Sequence, residues 1–135
     1  MRPWCAAAKV LQWKISDMFV KFSGKPECYY GQLYRAYKAD EIAKDMKGLN
    51  AECARQTLLE RNFSDADVRG VYESGHLPAG RIDLRARRRV SKLFLSHWHQ
   101  VMWESTAGAC PKPYILEHSN GQHTRHIPPP NWPMV

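Results

Sequence analysis

The run from Arg81 to Glu104 constrains the fold more than any other stretch of this chain. Ile82, Ala86, Val90, Leu93, His97 and Val101 recur at helical spacing on one face, while Arg81, Arg85, Arg88 and Lys92 line the opposite face with Arg89 beside them. Leu84, Leu95, Trp98 and Met102 form a second apolar patch to one side of the basic stripe. Soluble monomers rarely leave such a patch bare, so the pattern predicts a long helix that closes a helical bundle and has a further surface packed on it.

The upstream segments read as shorter helices. Residues 8–22 place Leu11, Ile15, Met18 and Phe22 on one stripe with Phe19 at its edge, which predicts a buried face; Trp13 and Val20 lie opposite, so the helix is expected to be gripped on two sides. Ser23-Gly24-Lys25-Pro26 stops it, and Pro26 and Glu27 suit the first turn of the next helix. That helix carries Tyr30, Leu33, Tyr34 and Tyr37 on one side, with Arg35 and Lys38 on the other flank. Asp40 and Glu41 read as helix-start charges that prolong or restart it to Met46, before Gly48 ends it. Asn50 is placed to cap a helix from Ala51 to about Arg61, with Ala54, Leu58 and Cys53 facing inward and Arg55 and Arg61 outward. Ser64-Asp65-Ala66-Asp67 opens a short helix through Val68, Val71 and Tyr72 that ends at Gly75, and residues 76–80 connect it to the long helix.

Beyond Ser105 the character changes. Six of the nine prolines lie there, few charges remain, and the segment cannot form a core of its own; disorder is the default, with Tyr114, Ile115, Leu116 and Trp132 available as anchors along a neighbour. The expected organisation is therefore an amphipathic helix in 1–25, a helical domain in 26–104 and an extended Pro/His-rich tail in 105–135.

Function classes narrow by what the residues do and do not offer. A formal net charge of +7 points to an acidic partner. Cys5, Cys28, Cys53 and Cys110 are too scattered for a disulfide scaffold or a C-x-x-C site and read as free thiols. No apolar run is long enough to span a bilayer. Arg2, Lys9 and Lys14 with no acid before Asp17 fit an organelle-targeting helix or an ordinary basic one, and no convincing cleavage site follows, so the segment is expected to stay. His97, His99, His118, His123 and His126 lack the tight spacing and the thiolates of a zinc site, so no metal is expected. No phosphate loop, nucleophile elbow or paired acids with a base is present, which argues against an enzyme. The basic stripe could grip phosphates, but the tyrosines carry core spacing, so nucleic acid is disfavoured.

Three pieces together carry a resemblance: Leu33-Tyr34-Arg35-Ala36-Tyr37, the segment Arg55-Gln56-Thr57-Leu58-Leu59-Glu60-Arg61-Asn62-Phe63, and the spacing from Ser64-Asp65 through Gly75 and Leu77 to the long basic helix. From about Cys28 to Trp98 the chain resembles the LYR-motif (Complex 1 LYR) family of small mitochondrial adaptors, most of all its accessory subunits of respiratory complex I. The resemblance implies an all-α fold: a three-helix bundle of the LYR type, here with an additional N-terminal helix and an extended Pro-rich tail. It implies a non-catalytic accessory subunit on the matrix side of the inner mitochondrial membrane, with no transmembrane segment of its own, embedded among other subunits of a large respiratory complex. The implied partner is mitochondrial acyl carrier protein, which contributes acyl-4'-phosphopantetheine; no cofactor is bound directly. Tyr34, Arg35, Lys38, Arg55, Arg61, Arg85, Arg88 and Lys92 become the carrier-binding residues, and Leu33, Tyr37, Leu58 and Phe63 the walls of an acyl-chain channel. Two alternatives stay open: an LYR-type assembly factor for iron-sulfur or respiratory complexes, and a basic mitochondrial ribosomal or RNA-binding protein.

Overall fold

The protein is all-helical. Its structure, a computed structural model, describes residues 5–112, 114–118 and 125–133, without the side chains of Tyr114 and Ile115, and has no strand among them. Among the described residues six helices follow one another: α1 (Ala6–Lys21), α2 (Tyr29–Met46), α3 (Ala51–Glu60), α4 (Ala66–Glu73), α5 (Ala79–Ala107) and α6 (Tyr114–His118). The chain divides into two compact units, residues 1–91 and 92–135, and α5 runs through the division.

In the first unit the cores are small and aromatic. Tyr34, Ala86 and Val90 are buried together, with Phe19, Val20, Tyr30, Leu33 and Tyr37 packed against them. Ala54, Tyr72, Leu77 and Ile82 form a second cluster, flanked by Cys53, Leu58, Phe63 and Val68. The tyrosine face of α2 and the Ile82-Ala86-Val90 face of α5 are therefore buried as their spacing predicts, and Ala54 and its neighbours turn inward as expected on α3.

Helix α1 departs from its reading. Leu11, Met18 and Phe22 remain exposed at 58%, 46% and 38%, whereas Ser16 is buried and Gln12 Nε2 donates to Ser91 Oγ at 3.1 Å. The inward face is the one bearing Gln12, Ser16, Phe19 and Val20. Periodicity fixes how apolar residues share a face, but which face meets the core depends on what the facing helices present. Here α5 offers the Ser91 hydroxyl, which accepts from Gln12.

Several boundaries also shift. Pro26 lies outside α2, whose N-cap is Cys28; the turn before it is held by Gln32 Nε2, which donates to the carbonyls of Ser23 (3.0 Å) and Lys25 (2.8 Å). Asp40 and Glu41 are interior to α2 and start no helix. Gly48, at φ +73°, ends α2 as expected: Leu49 N–H donates to the Lys44 carbonyl and Gly48 N–H to that of Asp45. Gly75, at φ +82°, ends α4 in the same way. The cap of α4 is Asp65, one residue later than a Ser64 start would place it, and its carboxylate accepts from the N–H groups of Asp67 and Val68.

Asn50 precedes α3 without capping it. Its Nδ2 donates to Asp45 Oδ1 at 2.9 Å, and the same carboxylate accepts the Leu77 N–H at 3.0 Å and meets His76 Nδ1 at 3.1 Å. One carboxylate thus ties the end of α2 to the start of α3 and to the α4–α5 connector.

In the second unit the tail does more than its composition predicts. His97, 2% exposed, contacts the Ile127 carbonyl through Nε2 at 2.9 Å, Pro129 is buried, and Trp132 Nε1 donates to Glu104 Oε2. Residues 125–133 fold back on the chain's own last helical turns, with Trp132 as the anchor. Of the other anchors, Leu116 is half-buried; the side chains of Tyr114 and Ile115, like Arg2 and His123, lie outside the described residues. The four cysteines are free thiols. Among the described residues no helix is long and apolar enough to cross a membrane.

Candidate functional site

Helix α2 carries the tripeptide Leu33-Tyr34-Arg35, and its three side chains diverge because successive helical residues lie about 100° apart. Tyr34 points into the first unit, 4% exposed, and its hydroxyl donates to Asp83 Oδ1. Leu33 packs at the edge of the same cluster. Arg35 consequently faces solvent, with no acidic partner among the described residues.

Asp83 gathers the cations around it. Lys38 Nζ donates to Asp83 Oδ1 at 3.0 Å and to the Tyr34 hydroxyl at 3.3 Å; Arg87 Nε reaches Asp83 Oδ2 at 2.7 Å while its Nη1 reaches Asp17 of α1 at 3.2 Å. Burial works to raise the Asp83 carboxyl, yet the bonds from Tyr34, Lys38 and Arg87 prevail and leave its pKa at about 2. Burial together with Asp83 raises the Tyr34 phenol, so it stays a donor throughout the physiological range.

Two cations of the α5 stripe, Arg85 and Arg89, are likewise occupied. Arg85 donates to Asn50 Oδ1 at 2.7 Å and to Cys53 Sγ at 3.2 Å and lies 3.6 Å from Glu41; Arg89 donates to Asp40 and to Glu41 (3.0 Å) and stacks 4.2 Å from the Tyr37 ring centroid. Asp40 and Glu41 thus act as anchors for two α5 arginines.

The expected carrier-binding residues fall into two groups. Tyr34, Lys38 and Arg85 are held inside the first unit by the contacts above, and Arg55 is exposed but clamped by both oxygens of Glu52 at 2.7 and 2.9 Å. Arg35, Arg61 and Arg88 are exposed and have no acidic partner among the described residues; Lys92, also exposed, belongs to the second unit. The expected channel residues are not brought together. Leu33 and Tyr37 pack on the Tyr34 cluster, whereas Leu58 and Phe63 pack on the Ala54 cluster, where Phe63 stacks on Tyr72 with centroids 5.0 Å apart.

A cleft of about 150 Å³ opens elsewhere in the first unit, between α1 and α5, lined by Lys9, Gln12, Trp13, Ser16, Leu84, Arg87, Arg88 and Ser91. Arg88 alone among the expected site residues borders it. Asp17, Asp83, Arg87 and Arg89 escaped the sequence reading as organising residues. Asp83 did carry a signal: it is the one acid between Glu73 and Glu104, set in a strongly basic run.

Among the described residues no three His, Cys, Asp or Glu side chains gather as a metal site. His97 is a core residue satisfied by a backbone carbonyl, and burial lowers its pKa. Comparison of the chain with family models, with curated proteins and with solved structures returns no match.

Proposed function

We propose that this protein is an LYR-type, non-catalytic accessory subunit of mitochondrial respiratory complex I, on the matrix side of the inner membrane, that docks acylated acyl carrier protein. The observation that carries the reading is the pairing of a locked Tyr34 with a bare Arg35. Anchoring the phenol on Asp83 fixes the rotation of α2, and that rotation holds Arg35 outward with no acid to neutralise it among the described residues. An unpaired guanidinium on a rigid helix is suited to capture a carboxylate of an acidic carrier helix, with fast and salt-sensitive association.

In this reading Arg35, Arg61 and Arg88 make the direct contacts, because their charges are not already spent. Tyr34, Lys38 and Arg85 position the helices that bear them. The acyl arm, at about 0.8 kcal/mol for each buried methylene, enters by parting packed helices, since its expected walls belong to two separate clusters.

The test is retention of acyl-loaded carrier protein on the immobilised full chain. Arg35→Glu is expected to reduce retention at least tenfold at low salt, and Arg55→Glu to act more weakly because Glu52 already occupies Arg55. Equal retention by wild type and Arg35→Glu rules out the proposed contact. Intact mass measurement of the native assembly, seeking a small acidic protein bearing acyl-phosphopantetheine and respiratory-chain subunits, tests partner and location together.

A further inference from the structure

Helix α1 packs Phe19 and Val20 on the core and leaves its most regular apolar stripe outside. Its polar Gln12 and Ser16 face α5, and its apolar stripe faces away from the core. The stripe is regular: Ala8, Leu11, Ile15, Met18 and the C-cap Phe22 alternate by three and four residues, the a/d spacing of a heptad seam. All but the half-buried Ile15 are exposed, and the run covers about 21 Å of helix.

In this register Lys14 and Lys21 both take g positions, on one flank of the seam. Both are exposed; Lys21 shares Asp17 with Arg87, and Lys14 has no acidic partner among the described residues. The corresponding e positions, Gln12 and Phe19, are committed inward, Gln12 to Ser91 and Phe19 to Tyr30 and the Tyr34 cluster. A second copy is a poor occupant: antiparallel pairing sets lysine against lysine, and parallel pairing sets lysine against a flank that is already packed.

We infer that the outer face of α1 is a docking surface for a helix of another protein, one with its own apolar heptad seam flanked by Glu or Asp opposite Lys14 and Lys21. The apolar seam supplies affinity and the two lysines select the sign of the partner's flank. This surface lies on α1 and is independent of carrier binding through Arg35, so either can fail alone.

Two synthetic three-heptad peptides probe it, each with Leu at a and d, one with Glu at every e and g and the other with Lys there; the like charges keep each peptide from pairing with itself. Calorimetry with the full chain at low salt is expected to show binding of the Glu peptide only. Lys14→Glu with Lys21→Glu is expected to weaken the Glu peptide about tenfold and to admit the Lys peptide. Leu11→Asp with Met18→Asp abolishes both; if these aspartates disturb the helix by circular dichroism, Leu11→Ser with Met18→Ser carries the same expectation. Binding of neither peptide, or of both equally, overturns the inference. So does self-association in sedimentation that the seam variants abolish, which makes the occupant a second copy. Cosedimentation with phosphatidylcholine/phosphatidylglycerol vesicles that the same variants abolish also overturns it, and makes the occupant a lipid surface.

Discussion

The Tyr34 hydroxyl donates to the Asp83 carboxylate, and through that one carboxylate three helices are joined. Asp83 of α5 also accepts from Lys38 of α2 and from Arg87, whose other arm reaches Asp17 of α1. The contact sits at the rim of the Tyr34-Ala86-Val90 cluster, where partial burial strengthens hydrogen bonds and makes a missing partner costly.

Removing the phenol oxygen alone should register. Tyr34→Phe keeps the ring in the core and withdraws one donor from a charged acceptor, so a loss of about 1–3 kcal/mol is expected from urea unfolding. Asp83→Asn should cost more than Tyr34→Phe, because Lys38 then loses its anion and Arg87 keeps only Asp17.

The same carboxylate predicts a pH dependence. Its folded pKa of about 2 lies below the ordinary carboxylate value, so its stabilisation is fully present above about pH 4 and is lost as pH falls through about 2. The side chain is 22% exposed, and the contribution is about 2 kcal/mol. Stability of wild type measured at pH 7, 4 and 2.5 should fall across the last interval more steeply than that of Asp83→Asn; parallel curves contradict the assignment.

Asp45 offers a second knot to cut. Asp45→Ala strands the Asn50 amide and the Leu77 N–H, both in buried residues, and a loss of about 2–4 kcal/mol is expected. Asp45→Asn, which keeps an acceptor oxygen, should lose less in the same chemical denaturation series.

Gly31 and Gly70 should respond in opposite senses to alanine. A Cβ on Gly31 would stand 2.9 Å from Ser23 Cα and 3.0 Å from the Phe22 carbonyl oxygen, so the α1–α2 turn must move, and a loss of about 1–3 kcal/mol is expected. A Cβ on Gly70, inside α4, meets open space, and Gly70→Ala should gain about 0.5–1 kcal/mol. Thermal midpoints of the two variants on opposite sides of wild type are the expected result.

What could be read in advance varied with how local its cause was. The buried faces of α2, α3 and α5 and the glycine ends at Gly48 and Gly75 were legible because repeat and backbone conformation are properties of a few neighbouring residues. Asp40 and Glu41 were misread as helix-start charges because, besides the local Lys44, their partners Arg89 and Arg85 lie more than forty residues away in sequence. Of the proposed site, the exposure of Arg35, Arg61 and Arg88 could be anticipated, whereas the withdrawal of Lys38 and Arg85 into internal contacts could not.

The amino-acid sequence by itself determined that this chain is helical, that Gly48 and Gly75 end α2 and α4, and which residues share a face; these follow from spacing, capping and turn chemistry within each segment. Only the tertiary structure decided which face of α1 meets α5, which cations remain unpaired, and that Trp132 brings the tail back to Glu104. Each of those outcomes turns on side chains distant in sequence competing for the same partner, and that competition is settled only when the helices pack.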